Sequence, residues 1–481
     1  MKNFCSLSSM LFAIIVLISF SSNTYSQTAD DALRLGFPSL SPDARALGMG
    51  DSYIGLSDDA GAAFFNPAGF GLMRNMELSG GLSYDNFGNN SSFNGQSSNY
   101  TNSATRLNNL SFVLPVPTYK GSLVFAFSYH TTNDFTSALN FNGFNSNNTS
   151  LIQNLNNAGS YIPYDLYLTD TNFVTPINGH LNQSGTIVGN GETHSWTFSG
   201  AFEAYKNLFI GLNLDLSSGT YNNTNDYFEQ DLQGIYSNIQ TDPATPGTKG
   251  FQTFYLNRLL DWDITGWDLK LGMLYQLENA RIGLTVQFPK TYTVKENFNV
   301  NGYSQFSTGY SWSLDPSYYS YSDRYDIVTP YELGAGFSIN LANLILSAQA
   351  TLIDYSQLKF ENANGLSDLD VNSINQSIKN ELKSVVNFNV GAEYTIPVIG
   401  LRVRVGYLRQ PSAYQGDPSS YDRNYVTGGL GYIIDQDVSI DVGYAHGWWS
   451  NYIDNYGTNV SRVNESITDD MVILSTTFRF F

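Results

Sequence analysis

The chain has 481 residues, with 42 acidic side chains against 23 basic ones for a net charge of −19; charged residues make up only 14 % of it and aromatic residues 15 %. A soluble domain carries about 25 % charged residues, so this deficit beside an aromatic excess fits strands that meet lipid on one face and water on the other. The acidic balance argues against nucleic acid as a partner, because a phosphate backbone calls for a positive face.

In chain order the first feature is a leader. Lys2 precedes an apolar run from Met10 to Phe20, and Thr24 and Ser26 follow, so residues 1–26 read as a secretory signal peptide. The run is too short for the roughly 20 apolar residues of a spanning helix. The single cysteine, Cys5, lies inside it, so the mature chain is expected to have neither disulfide nor thiol.

The next stretch, Ser41 to Leu72, reads SPDARALGMGDSYIGLSDDAGAAFFNPAGFGL. Small residues alternate irregularly with Leu47, Met49, Ile54, Leu56, Phe64, Phe65, Phe70 and Leu72, a mixture with neither the helix nor the strand period. Glycine tolerates close backbone approach and Asn66-Pro67 marks a turn, so this segment is expected to be buried somewhere tight. It resembles the FadL/TodX family of outer-membrane hydrophobic-compound transporters, whose amino-terminal hatch carries an ARALGMGGA, DDASA and NPAG run. The matching residues here are Ala44 to Gly50, then Asp58, Asp59 and Ala60, then Asn66, Pro67, Ala68 and Gly69. The resemblance implies a barrel corked by residues 27–75, with cargo passing from an outer groove to a pocket against the hatch and then sideways through a kinked third strand. Ser122 to Tyr129, in the expected third strand, contains neither Gly nor Pro, so no kink is legible there.

From residue 76 to 481 the sequence becomes a series of fourteen alternating runs. They fall at about 76–87, 107–118, 121–133, 192–206, 207–222, 258–277, 279–298, 323–340, 342–357, 381–396, 399–412, 424–435, 436–449 and 467–481. Ile282, Leu284, Val286 and Phe288 oppose Arg281, Gly283, Thr285 and Gln287; Ile210, Leu212, Leu214 and Leu216 oppose Gly211, Asn213, Asp215 and Ser217. A period of two is the strand signature, and a soluble sandwich would share it. The connections separate the two. Very short turns alternate with long polar loops, the longest from about Asp134 to Gly191, as in an even-stranded outer-membrane barrel. An antiparallel sheet in hydrocarbon must close to leave no unpaired edge. The expected fold is therefore an all-β transmembrane antiparallel barrel of about fourteen strands, in the cell outer membrane and contacting its lipid. Val472, Leu474, Phe478 and Phe480 lead to a terminal Phe481, a strand of the kind that barrel assembly machinery recognises. Trp196, Trp262, Trp267, Tyr331, Trp448 and Trp449 are candidates for interfacial girdles.

Nothing in the sequence points to catalysis. His130, His180, His194 and His446 lack metal-motif spacing, and Asp368-Leu369-Asp370 lacks the glycine and terminal glutamate of a calcium loop, so no metal, cofactor or enzyme activity is expected. Polar residues opposite the apolar stripe must line the lumen: among them Arg281, Glu332, Glu393, Arg402, Arg404 and Asp441. They either form a salt-bridged scaffold around a plug or, at Arg402 and Arg404, receive an anionic head group by bidentate pairing. Hatch and ligand-pocket candidates are Leu47, Met49, Phe64, Phe65, Asn66, Pro67, Ala68 and Phe70, of which the apolar ones would bind a hydrophobic small molecule by burial. Three functions remain at this point: passive uptake of hydrophobic small molecules such as long-chain fatty acids or aromatic hydrocarbons, a secretion-system-associated barrel that binds protein partners or cargo, and a general diffusion porin.

Overall fold

The computed structural model describes residues 28–434 and 437–480. The expected signal peptide, the turn residue Asp435 and the terminal Phe481 lie outside the described residues. Fourteen strands form one closed antiparallel sheet. They begin with β1 (Met76–Phe93), β2 (Gln96–Val116), β3 (Leu123–Asp134, continuing as Ser137–Asn145) and β4 (Leu181–Tyr205). Next come β5 (Leu208–Gln230), β6 (Phe251–Gln276), β7 (Ala280–Gln287, continuing as Thr291–Phe306) and β8 (Tyr321–Val328, continuing as Glu332–Leu341). The ring is completed by β9 (Leu344–Asp354, then Lys359–Glu361), β10 (Ser384–Thr395), β11 (Arg402–Gln410), β12 (Arg423–Ile434), β13 (Val438–Asp454) and β14 (Arg462–Phe480). Pairing of β1 with β14, from Met76 opposite Phe480 to Ser92 opposite Asn464, closes it.

Each of the fourteen expected runs falls on one of these strands, but the wall is taller than expected. The polar stretch after Phe87 is not a loop: β1 and β2 continue to a tight hairpin at Asn94-Gly95, both with positive φ (48° and 79°). The expected loop from Asp134 to Gly191 likewise contains the upper part of β3 and the start of β4. Above the lipid neither face of the sheet needs apolar side chains, so the alternation fades while the ladder continues.

Outward-facing Leu212, Leu214, Leu284, Val405, Val442 and Leu474 are exposed, as a hydrocarbon-facing band requires. Exposed aromatics mark its edges: Trp196 and Tyr205 stand nine residues apart on β4, Trp267 and Tyr275 eight apart on β6. A tilted strand needs about 9–11 residues to cross. Trp448 and Tyr331 are exposed too, whereas Trp262 and Trp449 are not girdle residues; they are 1 % and 9 % exposed and pack inside the barrel.

β3 is interrupted, higher than Ser122–Tyr129. Its register against β4 slips between Thr131 and Asn133, and the strand breaks at Phe135-Thr136. β2 pairs with β3 only from Asn109 to Val116; above that point no ladder joins the two among the described residues. The upper part of β3 lies instead over β1, where the Asn89 amide donates to the Ala138 carbonyl at 2.8 Å and Phe93 meets Phe141 edge-on at 5.1 Å. The irregularity in this strand is a bulge and a break rather than a glycine or proline.

The bore is filled in three layers. At membrane level runs residues 40–73, containing the short helix α2 (Ala44–Gly48) and two 3₁₀ turns, Ala60–Ala63 and Pro67–Leu72. Above it helix α1 (Ala29–Gly36) packs Leu33 and Leu35 among Trp262, Tyr325, Tyr355 and Phe360, a cluster that also takes Ile374 and Ile378 from helix α5 (Asp368–Glu381). At the extracellular end the β3–β4 connection, with helices α3 (Leu151–Asn157) and α4 (Ile162–Asp165), buries Ile152, Leu166 and Leu168 against Phe251, Phe254 and Phe306.

Candidate functional site

The plug segment follows the inside of the wall, and glycines mark its path. Ala44 and Gly48 lie against Gly443 and Gly429, register partners on β13 and β12. Met49 and Gly50 lie against Gly391 and Gly406, partners on β10 and β11. Ile54 and Gly55 meet the Gly283–Gly336 pair of β7 and β8; Pro67 and Ala68 meet the Gly211–Gly272 pair of β5 and β6. A Cβ on any of these eight wall glycines would come within 3.2 Å of a plug backbone atom, so at these four stations the wall is bare to let the plug's main chain approach. Gly50 also has φ of +62°, where a side chain would be strained.

Wall amides and hydroxyls satisfy the plug's backbone. Tyr53 N and Ile54 N donate to Gln349 Oε1 at 2.9 and 3.0 Å, Asn389 Nδ2 donates to the Gly50 carbonyl at 2.8 Å, and Asn213 Nδ2 to the Ala63 carbonyl at 2.6 Å. The quoted motif residues serve the same end. Asp43 caps α2 through Ala46 N, and Asp59 accepts from Gly61 N. Asn66, fully buried, donates to both the Ile54 carbonyl of the plug and the Met273 carbonyl of the wall.

At the periplasmic end an ion network binds plug to wall. Arg45 Nε and Nη2 fork onto Glu393 at 2.9 and 3.1 Å, while its Nη1 reaches Asp58 at 2.7 Å and Asp59 at 3.0 Å. Arg281 pairs with Asp58 at 2.8 Å, and Arg404 joins Glu393 (2.6 Å) to Asp441 (2.7 Å). Arg404 is fully buried, its counter-ions nearly so. Of the lumen residues named from sequence, Arg281, Glu393, Arg404 and Asp441 thus converge in one network. Glu332 sits apart in the cavity above, and Arg402 lies at the periplasmic mouth.

That cavity, about 120 Å³, lies between the plug and α1. Phe64 and Phe65 contribute rings; Lys270, Lys290, Glu332, Asn387 and Gln287 make most of the rest polar, and Thr132 and Asn133 of the β3 bulge open onto it. Lys270 Nζ also donates to the Phe64 carbonyl.

The expected apolar pocket is therefore not what most of its named residues form. Leu47 is buried against Leu408, Tyr425 and Ala445 of the wall, Met49 against Tyr53 and Leu56 of the plug itself, Phe70 against Val113, Val124 and Ala201, and Ala68 against Phe209 and Leu274. These side chains are used up sealing plug to wall, and Asn66 and Pro67 fix its course; only Phe64 and Phe65 face the space. Sequence reasoning missed Lys290, Asn387, Asn389 and Gln349, lone polar positions with no local pattern. It also missed the latch role of Arg45, Asp58 and Asp59, although all three stood in the quoted motif.

At the extracellular end Glu229, fully buried, accepts from Leu151 N (2.6 Å) and Ile152 N (3.2 Å) at the start of α3, from Gln183 Nε2 (2.7 Å) and from the Tyr227 hydroxyl (3.2 Å). Burial pushes its carboxyl up to about 7 against the lowering pull of these donors. A raised carboxyl binds its proton more tightly folded than unfolded, so its contribution is full below the ordinary value of 4.5 and lost as pH rises through 7. Hydrogen exchange at amides 151–157, corrected for intrinsic rate, is expected to be slower at about pH 5 than at about pH 8. Glu229→Gln is expected to flatten that difference.

The family model for outer membrane protein transport proteins (OMPP1/FadL/TodX) matches residues 26–480. This chain belongs to the FadL/TodX family. Its solved relatives share the fold at low identity. A FadL homologue from Pseudomonas aeruginosa is 14 % identical with a TM-score of 0.60, over 93 % of this chain and 100 % of that one. The toluene transporter TodX of P. putida is 13 % identical with a TM-score of 0.55, over 90 % and 97 %; the CymD monoaromatic hydrocarbon channel is 14 % identical with a TM-score of 0.52, over 94 % and 98 %. No curated protein matches in sequence. FadL/TodX members are outer-membrane transport channels rather than enzymes, and this member is an outer-membrane barrel of fourteen strands.

Proposed function

We propose that this FadL/TodX-family barrel takes up hydrophobic small molecules, long-chain fatty acids or aromatic hydrocarbons, passively across the outer membrane, with the plug segment as its gate. The observation that carries this reading is the cavity against Phe64 and Phe65, bounded by the plug on one side and by Thr132 and Asn133 of the β3 bulge on the other. A plug movement at this cavity would change access to the gap in the β2–β3 ladder, and that gap supports a sideways route into lipid. The plug's bonds to the wall are mostly amide and ionic contacts that water can replace, which suits a part that shifts. The cavity's size and polarity suit a head group or a small ring, with a longer tail reaching elsewhere.

Uptake of a radiolabelled fatty acid and of toluene into proteoliposomes tests it, comparing the full mature protein with a variant lacking residues 28–75. The intact protein is expected to be silent to ions and to accumulate cargo, and the shortened one to conduct ions. The reading fails if the intact protein moves no apolar cargo and copurifies instead with secretion components.

A further inference from the structure

Beneath the plug the barrel wall carries a cation, Arg402, that Glu393 and Asp441 act on without forming an ion pair with it. Arg402 shares a pocket of about 310 Å³ at the periplasmic mouth with Arg45, Asp58, Glu393 and Arg479. Each of those four is already ion-paired: Arg45 with Glu393, Asp58 and Asp59, and Arg479 with Glu77 at 2.8 Å. Both oxygens of Glu393 accept from guanidinium groups, and both oxygens of Asp58 are likewise taken, by Arg45 and Arg281. Among the described residues no side chain hydrogen-bonds or ion-pairs with the Arg402 guanidinium. Neutral donors surround it. Thr395 is its register partner across β10 and β11, and Asn340 and Asn343 come from beside the short β8–β9 turn; among the described residues the side chains of all three also lack hydrogen-bond partners.

A planar guanidinium with two free edges, flanked by a hydroxyl and two amides, is the donor set that a carboxylate takes by bidentate pairing. We infer that this mouth is a carboxylate-binding site, centred on Arg402, for a ligand that presents a single ionised carboxylate. Arg404, the other arginine on that face of β11, is excluded from the role because Glu393 and Asp441 already occupy it. The site opens toward the short turns, so it is reached from the periplasm and stands apart from the cavity above the plug. It does not depend on what crosses the barrel.

Equilibrium binding to the full-length mature protein in neutral detergent tests this, with octanoate, octanol and inorganic phosphate as probes. Octanoate is expected to bind the wild type and to weaken about tenfold or more in Arg402→Gln, with Arg402→Lys intermediate because an ammonium cannot pair through two edges. Octanol, with the same tail and no charge, is expected to treat wild type and Arg402→Gln alike. Equal octanoate binding by wild type and Arg402→Gln overturns the proposal, and so does phosphate binding as strong as octanoate. Heat-modifiable gel migration shows that the variants are folded, and unchanged toluene uptake by Arg402→Gln separates failure here from failure of the uptake reading.

Discussion

Gly406→Val is expected to unseat the plug and turn a silent barrel into a conducting one. The new Cβ would fall inside contact distance of Gly50 N, Gly50 Cα and the Met49 carbonyl carbon, all backbone atoms with no rotamer to change. Overpacking a core ordinarily costs about 1–3 kcal/mol because side chains give way. Here neither main chain can, since Gly406 is laddered to Thr427 and Gly391, and Gly50 is held by Asn389. The plug must therefore leave the wall along the whole Met49–Gly50 contact. Single-channel recording in planar bilayers checks it. Gly428→Ala is the control: a Cβ there meets only the Arg404 carbonyl at 3.8 Å, and conductance is expected to stay at the wild-type level. A silent Gly406→Val barrel that is also folded would contradict the seating described above.

Arg45→Met is expected to release the same segment from its other hold. Removing one member of a buried ion pair costs about 3–5 kcal/mol, chiefly because the partners are left charged and unpaired. Arg45 is 11 % exposed and serves three carboxylates, so its loss leaves Asp58 to Arg281 alone, Glu393 to Arg404 alone, and Asp59 without an arginine. Faster proteolysis within residues 28–75 in detergent, together with raised conductance, is the expected result. Adding Asp59→Asn to Arg45→Met is expected to recover part of the loss, because it removes the carboxylate left without an arginine. Arg45→Lys is expected to fall between, since one ammonium cannot fork onto Glu393 and also reach Asp58. Wild-type protease resistance in Arg45→Met would show that the ion network does not hold the plug.

The ring of strands was legible because lipid imposes a strict rule: Leu212, Leu284, Val405 and Val442 must point outward, and the period of two follows. Where lipid ends the rule ends, which is why the hairpin at Asn94-Gly95 and the upper β3 read as loops. The plug's presence was legible in its small residues and motif, but its contacts were not. Phe70 and Leu47 look like pocket linings in sequence and prove to be sealant, because which face of an irregular segment meets the wall depends on the wall. One signal stood in plain sight. Gly211, Gly283, Gly406 and Gly443 all fall on the inward face of their strands, opposite the apolar stripe, and each marks a point where the plug's main chain touches down. The latch needed Arg45, Asp58 and Glu393 brought together from positions up to 348 residues apart, which no local pattern encodes.

The four glycine pairs sit on β5–β6, β7–β8, β10–β11 and β12–β13, more than half the way round the ring, and a single stretch of 25 residues, from Ala44 to Ala68, touches them all. A segment of fixed length that must reach each of these stations works as a gauge of girth. A cylinder with one hairpin more or fewer between stations would leave some of them out of reach, so the same short peptide that closes the bore also counts the staves.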